Sequence, residues 1–311
     1  MRLGIDLGGT KIAAVVLGEG DRVIWETRLP TPRDDYDATL DAIAQLVDAG
    51  ERAAGARCSV GIGMPGAISP ATGVVKNANS TWLNGRALDT DLEARLARPL
   101  RFANDANCLA MSEAADGAAA GAPVVFAAIL GTGTGGGIVI DGRILTGANA
   151  IGGEWGHNPL PWPRDDERPG PACYCGRSGC IESFLSGPGL AADYARRGGG
   201  AARAEEVVSR AAAGEARAAE VLAAWTERLA RAFATIINVL DPDVIVCGGG
   251  LSRLAHIYRD VPAQWTPWVF SDQVVTKLLP AAHGDASGVR GAARLWSGPG
   301  PQALGPGGGE P

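Results

Sequence analysis

Leu3-Gly4-Ile5-Asp6-Leu7-Gly8-Gly9-Thr10-Lys11-Ile12-Ala13-Ala14-Val15-Val16-Leu17 reads as a strand, a Gly8-Gly9 turn and a second strand. The flanking apolar runs have strand length, and paired glycines accept the backbone angles a tight reversal demands. A related pattern returns at 124–145. There the run from Val124 to Leu130 enters Gly131-Thr132-Gly133-Thr134-Gly135-Gly136-Gly137, followed by a strand at Ile138-Val139-Ile140 and an Asp141-Gly142 hairpin signal. One glycine turn between strands means little. Two such units, one near the start of each half, predict a duplicated architecture with a cleft between the halves.

Outward from these units, a helix is expected over Asp37–Ala54 and a buried strand at Val60–Met64. Asp89–Ala97 reads as a further helix, capped by Asp89 or Thr90. Ala216–Leu240 is strongly amphipathic, with Val221, Leu222, Trp225, Leu229, Phe233, Ile236, Ile237 and Leu240 at helical spacing. The apolar strand Val244–Cys247 follows and meets Gly248-Gly249-Gly250. Residues 297–311 are mostly Gly and Pro, a composition that predicts disorder.

At 311 residues the chain has room for two domains. A formal charge of −6 without a basic run argues against a nucleic-acid partner. The apolar stretches are strand-sized, which argues against a membrane span, and charge appears too early for an export signal. A cytoplasmic, reducing location is therefore expected, where clustered thiols point to metal or catalysis rather than disulfides.

Asp6-Leu7-Gly8-Gly9-Thr10-Lys11 lets backbone N–H groups approach phosphate oxygens, with a hydroxyl and an ammonium nearby; alone it reads as a plain hairpin turn. Paired with 131–137 it suggests two turns holding a triphosphate. Gly131, Gly133 and Gly136 match G-x-G-x-x-G, yet a strand rather than a helix follows, so a dinucleotide fold is excluded. In Asn104-Asp105-Ala106-Asn107, Asp105 either caps the next helix or serves as the general base that phosphoryl transfer requires.

His157, with Cys173, Cys175 and Cys180, offers three thiols and an imidazole, the donor set of a closed structural zinc site. Glu154 and Glu182 flank it, so zinc would fix a loop whose carboxylates grip sugar hydroxyls. Cys58, Cys108 and Cys247 read as inert buried thiols, and His256 and His283 as ordinary polar residues.

With these residues assembled, the chain resembles the ROK family of repressors and sugar kinases. The resemblance rests on Gly4–Lys11, Asn104–Asn107, Gly131-Thr132-Gly133, Glu154-x-Gly-His157 and Cys173-x-Cys-Gly-x-x-Gly-Cys180-x-Glu182, and spans about residues 1–296. Within the family it looks most like bacterial fructokinases of the manno(fructo)kinase type, on Thr31–Tyr36, Val75–Gly85 and Glu154–Trp162. The gap between His157 and Cys173 is longer than in many relatives.

The resemblance implies an actin-like, ribonuclease-H-type fold of two α/β domains, residues 1–105 and 106–296, with the last helix packing back on the first and ATP in the cleft. It implies Asp105 as catalytic base, and sugar contacts at Asn79, Asn104, Asp105, Glu154, His157 and Glu182. ATP would meet Gly4, Ile5, Asp6, Leu7, Gly8, Gly9, Thr10, Lys11, Gly131, Thr132, Gly133, Thr134, Gly135, Gly136, Gly137 and Ile138, with Gly248 and Gly249 beside the adenosine. Mg2+ would bridge the phosphates, Zn2+ would be structural, and the chain would be a homodimer. The expected reaction is phosphorylation of D-fructose to fructose 6-phosphate. A glucokinase, an N-acetylhexosamine kinase and a non-catalytic sugar-sensing regulator are the alternatives.

Overall fold

The computed structural model describes residues 1–297, so the expected disordered tail lies, from position 298 on, outside the described residues. The chain opens with β1 (Arg2–Leu7), β2 (Lys11–Leu17), β3 (Val23–Pro30), α1 (Tyr36–Ala54) and β4 (Ser59–Met64). A short pair, β5 (Ala67–Ile68) and β6 (Val75–Lys76), precedes α2 (Leu88–Leu96), β7 (Arg101–Asn104) and α3 (Asp105–Asp116). Next come β8 (Val124–Leu130), β9 (Thr134–Ile140) and β10 (Arg143–Ile144), then α4 (Ile181–Leu185), α5 (Gly187–Tyr194), α6 (Ala204–Ala212) and α7 (Ala216–Leu240). β11 (Val244–Gly248), α8 (Ile257–Trp265), β12 (Lys277–Pro280) and α9 (Ser287–Arg294) complete the order.

Two five-stranded sheets follow one plan. The first has the order β3-β2-β1-β4-β7, antiparallel through β3, β2 and β1, then parallel through β4 and β7. The second runs β10-β9-β8-β11-β12, with β10 antiparallel to β9 and with β8, β11 and β12 parallel. This repeat is the duplication that the two glycine turns predict, and it is the actin-like α/β architecture. The central parallel strands read as continuous apolar runs because both their faces are covered. Leu3, Ile5, Val60 and Ile62 are fully buried in one cluster with Ile43 and Leu46 of α1. Ala13, Val15 and Leu17 pack on the other side with Val289 and Ala293 of α9.

The residues form two compact units, one of 1–120, 137–152 and the described residues from Asp285, the other of 121–136 and 153–284. Strand β9 passes from one to the other after Gly136. The expected division after Asn104-Asp105 therefore moves to residue 120. The cause is α3, which packs against α9, while α9 lies on β1 and β4. Close approach makes this possible: a Cβ at Gly4 would strike the Val289 carbonyl, and one at Gly291 the Cys108 carbonyl. Gly4 is thus a packing position in the interior of β1.

Three further expectations change. Helix α2 begins at Leu88 with Ala87 as its N-cap, so neither Asp89 nor Thr90 caps it; Asp89 and Asp91 lie in its first turn, where acids favour the helix dipole. The strand expected from Ile138 starts at Thr134, so Gly135–Gly137 are strand residues. Gly136 faces the Gly153 carbonyl and the Phe126 and Trp155 rings, and Gly137 faces the Ala106 carbonyl, leaving no space for side chains. Helix α7 matches its expected limits but buries more than its apolar stripe, because Arg228 and Arg231 are also fully buried.

Candidate active site and metal centre

In the first unit, the Gly8-Gly9 turn is closed by Gly8 N donating to the Lys11 carbonyl at 3.0 Å. Thr31 braces it: its N donates to the Thr10 carbonyl at 3.1 Å, and its hydroxyl donates to the Gly8 carbonyl at 2.6 Å. Thr31 belongs to the segment that carries the fructokinase likeness, and here it shapes the Gly8-Gly9 turn. Ile5 and Leu7 are core residues of β1, while Asp6 is partly buried at the strand's end and Lys11 is exposed. Desolvation pushes Asp6 up to about 6, against the pull of Lys11 and Arg28. Asn79 is exposed, and beside it buried Ser80 points a hydroxyl at Gly9, with no hydrogen-bond partner among the described residues.

Asn104 and Asp105 stand where β7 ends and α3 begins. Asn104 is the N-cap: its side-chain oxygen accepts from Ala106 N at 2.9 Å, and its amide donates to the Gly66 carbonyl at 3.1 Å. Asp105 occupies the first helical position, where Oδ1 accepts from Ala106 N at 2.8 Å. The structural capping role thus falls chiefly on Asn104, and α3 presents the Asp105 carboxylate at its positive end. Burial, then the negative charges of Asp6 and Asp105, raise the Cys108 thiol well above its usual range.

In the second unit, Gly131 N donates to the Gly133 carbonyl at 3.0 Å, and Gly187 N donates to the Gly131 carbonyl at 2.8 Å. Glu182 Oε2 accepts from Thr134 N at 2.8 Å, so this predicted sugar ligand is also tied to the glycine turn. The Trp155 indole donates to the Gly135 carbonyl at 2.8 Å; its ring meets Phe126 edge-on at 5.6 Å and stacks on Phe233 at 5.2 Å. Trp155 thereby fixes the segment carrying Glu154 and His157 against the same turn. Gly249 adopts φ 85° and lies against the Leu130 carbonyl, which sets the turn after β11 beside the end of β8. Thr132 is exposed, and Thr134 is buried with its hydroxyl unpartnered among the described residues. Gly131–Thr134, Glu182, the 154–157 segment and Gly249 are thus neighbours within one unit.

His157, Cys173, Cys175 and Cys180 bring four ligand atoms within 4.8 Å of one another. Cys173 Sγ lies 3.6 Å from His157 Nδ1, and Cys175 Sγ lies 3.6 Å from Cys180 Sγ. Around a tetrahedral Zn2+, bonds of about 2.3 Å to sulfur and about 2.0 Å to nitrogen give S–S edges of about 3.8 Å and S–N edges of about 3.5 Å. The four residues fit that ion. The loop is a tight reversal in which Cys173 N donates to the Arg177 carbonyl at 2.8 Å and Gly176 takes φ 85°. The Arg177 N–H, followed by the neighbouring Cys173 thiol, draws Cys175 down to about 7, toward the thiolate a metal needs. His157 Nε2 faces the Tyr174 hydroxyl at 3.0 Å.

Two features escape the sequence analysis. Tyr174 sits between Cys173 and Cys175, and nothing in the spacing of those cysteines marks it. A buried ion network joins the 158–172 segment to α7. Glu167 accepts from Arg228 Nε at 2.7 Å and from Arg231 Nη2 at 2.8 and 2.9 Å, and Arg228 also pairs with Asp193 at 2.5 Å. Arg231 Nη1 donates to the Pro161 and Trp162 carbonyls at 2.9 and 2.6 Å. The signal was available as two arginines three residues apart, bordering the apolar stripe of α7. No helix among the described residues is long and apolar enough to cross a membrane.

The model of the ROK family matches residues 2–298. An N-acetyl-D-glucosamine kinase of Escherichia coli is 41% identical over 299 residues, covering 95% of this chain and 99% of that one. A ROK hexokinase from Thermus thermophilus superposes with a TM-score of 0.83 at 31% identity, over 94% of this chain and 96% of that one. A ROK family glucokinase from Streptomyces griseus, solved in complex with glucose and AMPPNP, gives a TM-score of 0.76 at 26% identity, over 94% and 98% of the two chains.

Proposed function

The chain belongs to the ROK family, and from that premise we propose that it is an ATP-dependent sugar kinase whose acceptor is N-acetylglucosamine. The observation that carries this choice is the 41% identity, along nearly the whole of both chains, with an N-acetyl-D-glucosamine kinase. It supports the N-acetylhexosamine alternative over the fructose reading, which rested on the short segments 31–36, 75–85 and 154–162. Part of that likeness has a structural explanation here, since Thr31 braces the phosphate turn.

Each unit contributes a share of the chemistry. In the first, Asp105 accepts the proton of the attacking hydroxyl, and Asn104, locked by its cap and by Gly66, orients it. Lys11 and the N–H groups of the Gly8-Gly9 turn stabilise charge gathering on the transferred phosphoryl group. Bound Mg2+ supplies neutralisation of the phosphates. Asp6 suits that ion, because a carboxylate whose charge is disfavoured by burial gains from a nearby cation. In the second unit, Glu154 and Glu182 accept hydrogen bonds from sugar hydroxyls and His157 donates to one. The turn at 131–134 takes phosphates, and Gly248-Gly249 lies by the adenosine. Zn2+ at His157, Cys173, Cys175 and Cys180 supplies structural closure, since four protein ligands leave no open position.

The test is ADP release measured with N-acetylglucosamine, N-acetylmannosamine, glucose, mannose and fructose. N-acetylglucosamine should give the highest kcat/KM, by about tenfold or more. If fructose or an unsubstituted aldohexose gives the highest value, the substrate assignment is overturned while the kinase activity stands.

A further inference from the structure

We propose that Tyr174 is a specificity-determining residue of the sugar site: its hydroxyl competes with a sugar hydroxyl for His157 Nε2, and its ring walls the site. This rests on the reading that Glu154, His157 and Glu182 hold the sugar. The argument begins with the imidazole. Its Nδ1 faces Cys173 Sγ at 3.6 Å as one of the four converging ligand atoms. With Nδ1 committed to a metal there, the ring proton would sit on Nε2, and that N–H would donate to the Tyr174 oxygen, which lies 3.0 Å away. The donor meant for sugar is therefore engaged by a side chain of the protein itself.

The surroundings of the phenol agree. Its ring stands edge-on to the imidazole, with centroids 5.2 Å apart and planes at 89°. The phenol is thus in direct contact with one of the groups assigned to the sugar. The Tyr174 backbone is held between two ligand cysteines by the Cys173–Arg177 and Gly176–Cys173 hydrogen bonds, yet the residue is 74% exposed. Turning the ring aside then sacrifices little packing, while its position stays fixed by the loop. An exposed aromatic ring beside the His157 imidazole also matches the two-sided chemistry of a sugar, polar at its hydroxyls and apolar at C–H faces and at an acetamido methyl.

The experiment measures KM for N-acetylglucosamine and for ATP, with bound zinc, in wild type, Tyr174→Phe, Tyr174→Ala, Glu154→Gln and Glu182→Gln. Tyr174→Phe keeps the ring and removes the competing oxygen, so sugar KM should fall about threefold, a net hydrogen bond's worth. Tyr174→Ala also removes the wall, and its sugar KM should exceed that of Tyr174→Phe by about tenfold. ATP KM and zinc content should not move in either. A Tyr174→Phe sugar KM at or above wild type overturns the competition, and equal values for the two tyrosine variants overturn the wall. If both glutamate variants also leave sugar KM unchanged, the sugar lies elsewhere and the proposed site itself falls, taking this inference with it.

Discussion

Replacing Glu167 by Gln tests whether the buried charges of the second unit hold the segment between His157 and Cys173 in place. The substitution keeps the side chain's shape and removes one charge. Glu167 Oε1 and Oε2 between them accept from Arg228 Nε, Arg231 Nη2 and Arg164 N, at 2.7 to 2.9 Å. Arg228 and Arg231 are 1% and 0% exposed, so neither guanidinium has water to turn to. In wild type they face the buried carboxylates of Glu167 and Asp193 and the partly buried Glu227. Glu167→Gln leaves two buried cations with one buried anion. Breaking such a pair costs about 3–5 kcal/mol; because Gln retains one accepting oxygen, the lower end, about 3 kcal/mol, is expected. At about 2–4 °C per kcal/mol, Tm should fall by about 6–12 °C.

Because residues 158–172 join His157 to Cys173, the variant should also surrender zinc to a chelator faster than wild type. The pH dependence has a definite sign. Burial alone would raise Glu167 and Asp193, but the arginine hydrogen bonds and charges win and hold both below their usual ranges. Their contribution is therefore complete above the unfolded carboxylate range, about pH 4–5, and is lost as pH falls through the lower folded values. The Tm gap between wild type and variant should accordingly close in acid. Calorimetry from pH 3 to pH 8, with a colorimetric zinc-release assay, measures both effects. A Glu167→Gln Tm within about 2 °C of wild type at pH 7 refutes the reasoning, for it would show that the arginines are satisfied without Glu167.

Asp105→Asn should lower kcat by about 100-fold or more with sugar and ATP KM nearly unchanged, since the Ala106 N–H is also capped by Asn104; retention of a tenth of wild-type turnover would remove Asp105 as the base. Cys175→Ser should lower bound zinc from about one per chain and raise sugar KM, with ATP KM less affected. Metal analysis beside steady-state kinetics checks it, and a zinc-poor variant with normal sugar KM would break the link between metal and sugar site.

Much of the site was legible in the linear sequence because its chemistry is local. The strand–turn–strand units, the Asn104-Asp105 step from strand to helix, and the Cys173–Cys180 spacing are each set by backbone conformations within a few residues, and glycine, cap residues and thiols declare them directly. The same locality explains why α7 and β11 appear where the periodicity puts them. The fructose reading had no such footing, since substrate choice depends on which distant side chains meet one sugar hydroxyl or substituent.

What tertiary structure decided were the close approaches. Gly4 looks like part of a phosphate turn, but α9, nearly 290 residues away in sequence, rests on it and leaves no space for a Cβ. Gly136 and Gly137 look like loop, yet they are strand residues thinned to admit Trp155 and the Ala106 carbonyl. Arg228 and Arg231 resemble the solvated edge of an amphipathic helix until Glu167 and Asp193 cover them. Tyr174 acquires meaning only when the loop folds its hydroxyl onto His157. A sequence states the chemical character of each residue and the conformations its neighbours allow. Which groups remote in the chain come within 3 Å, and so which charges are paired and which glycines are obligatory, is fixed only when the sheets and helices pack.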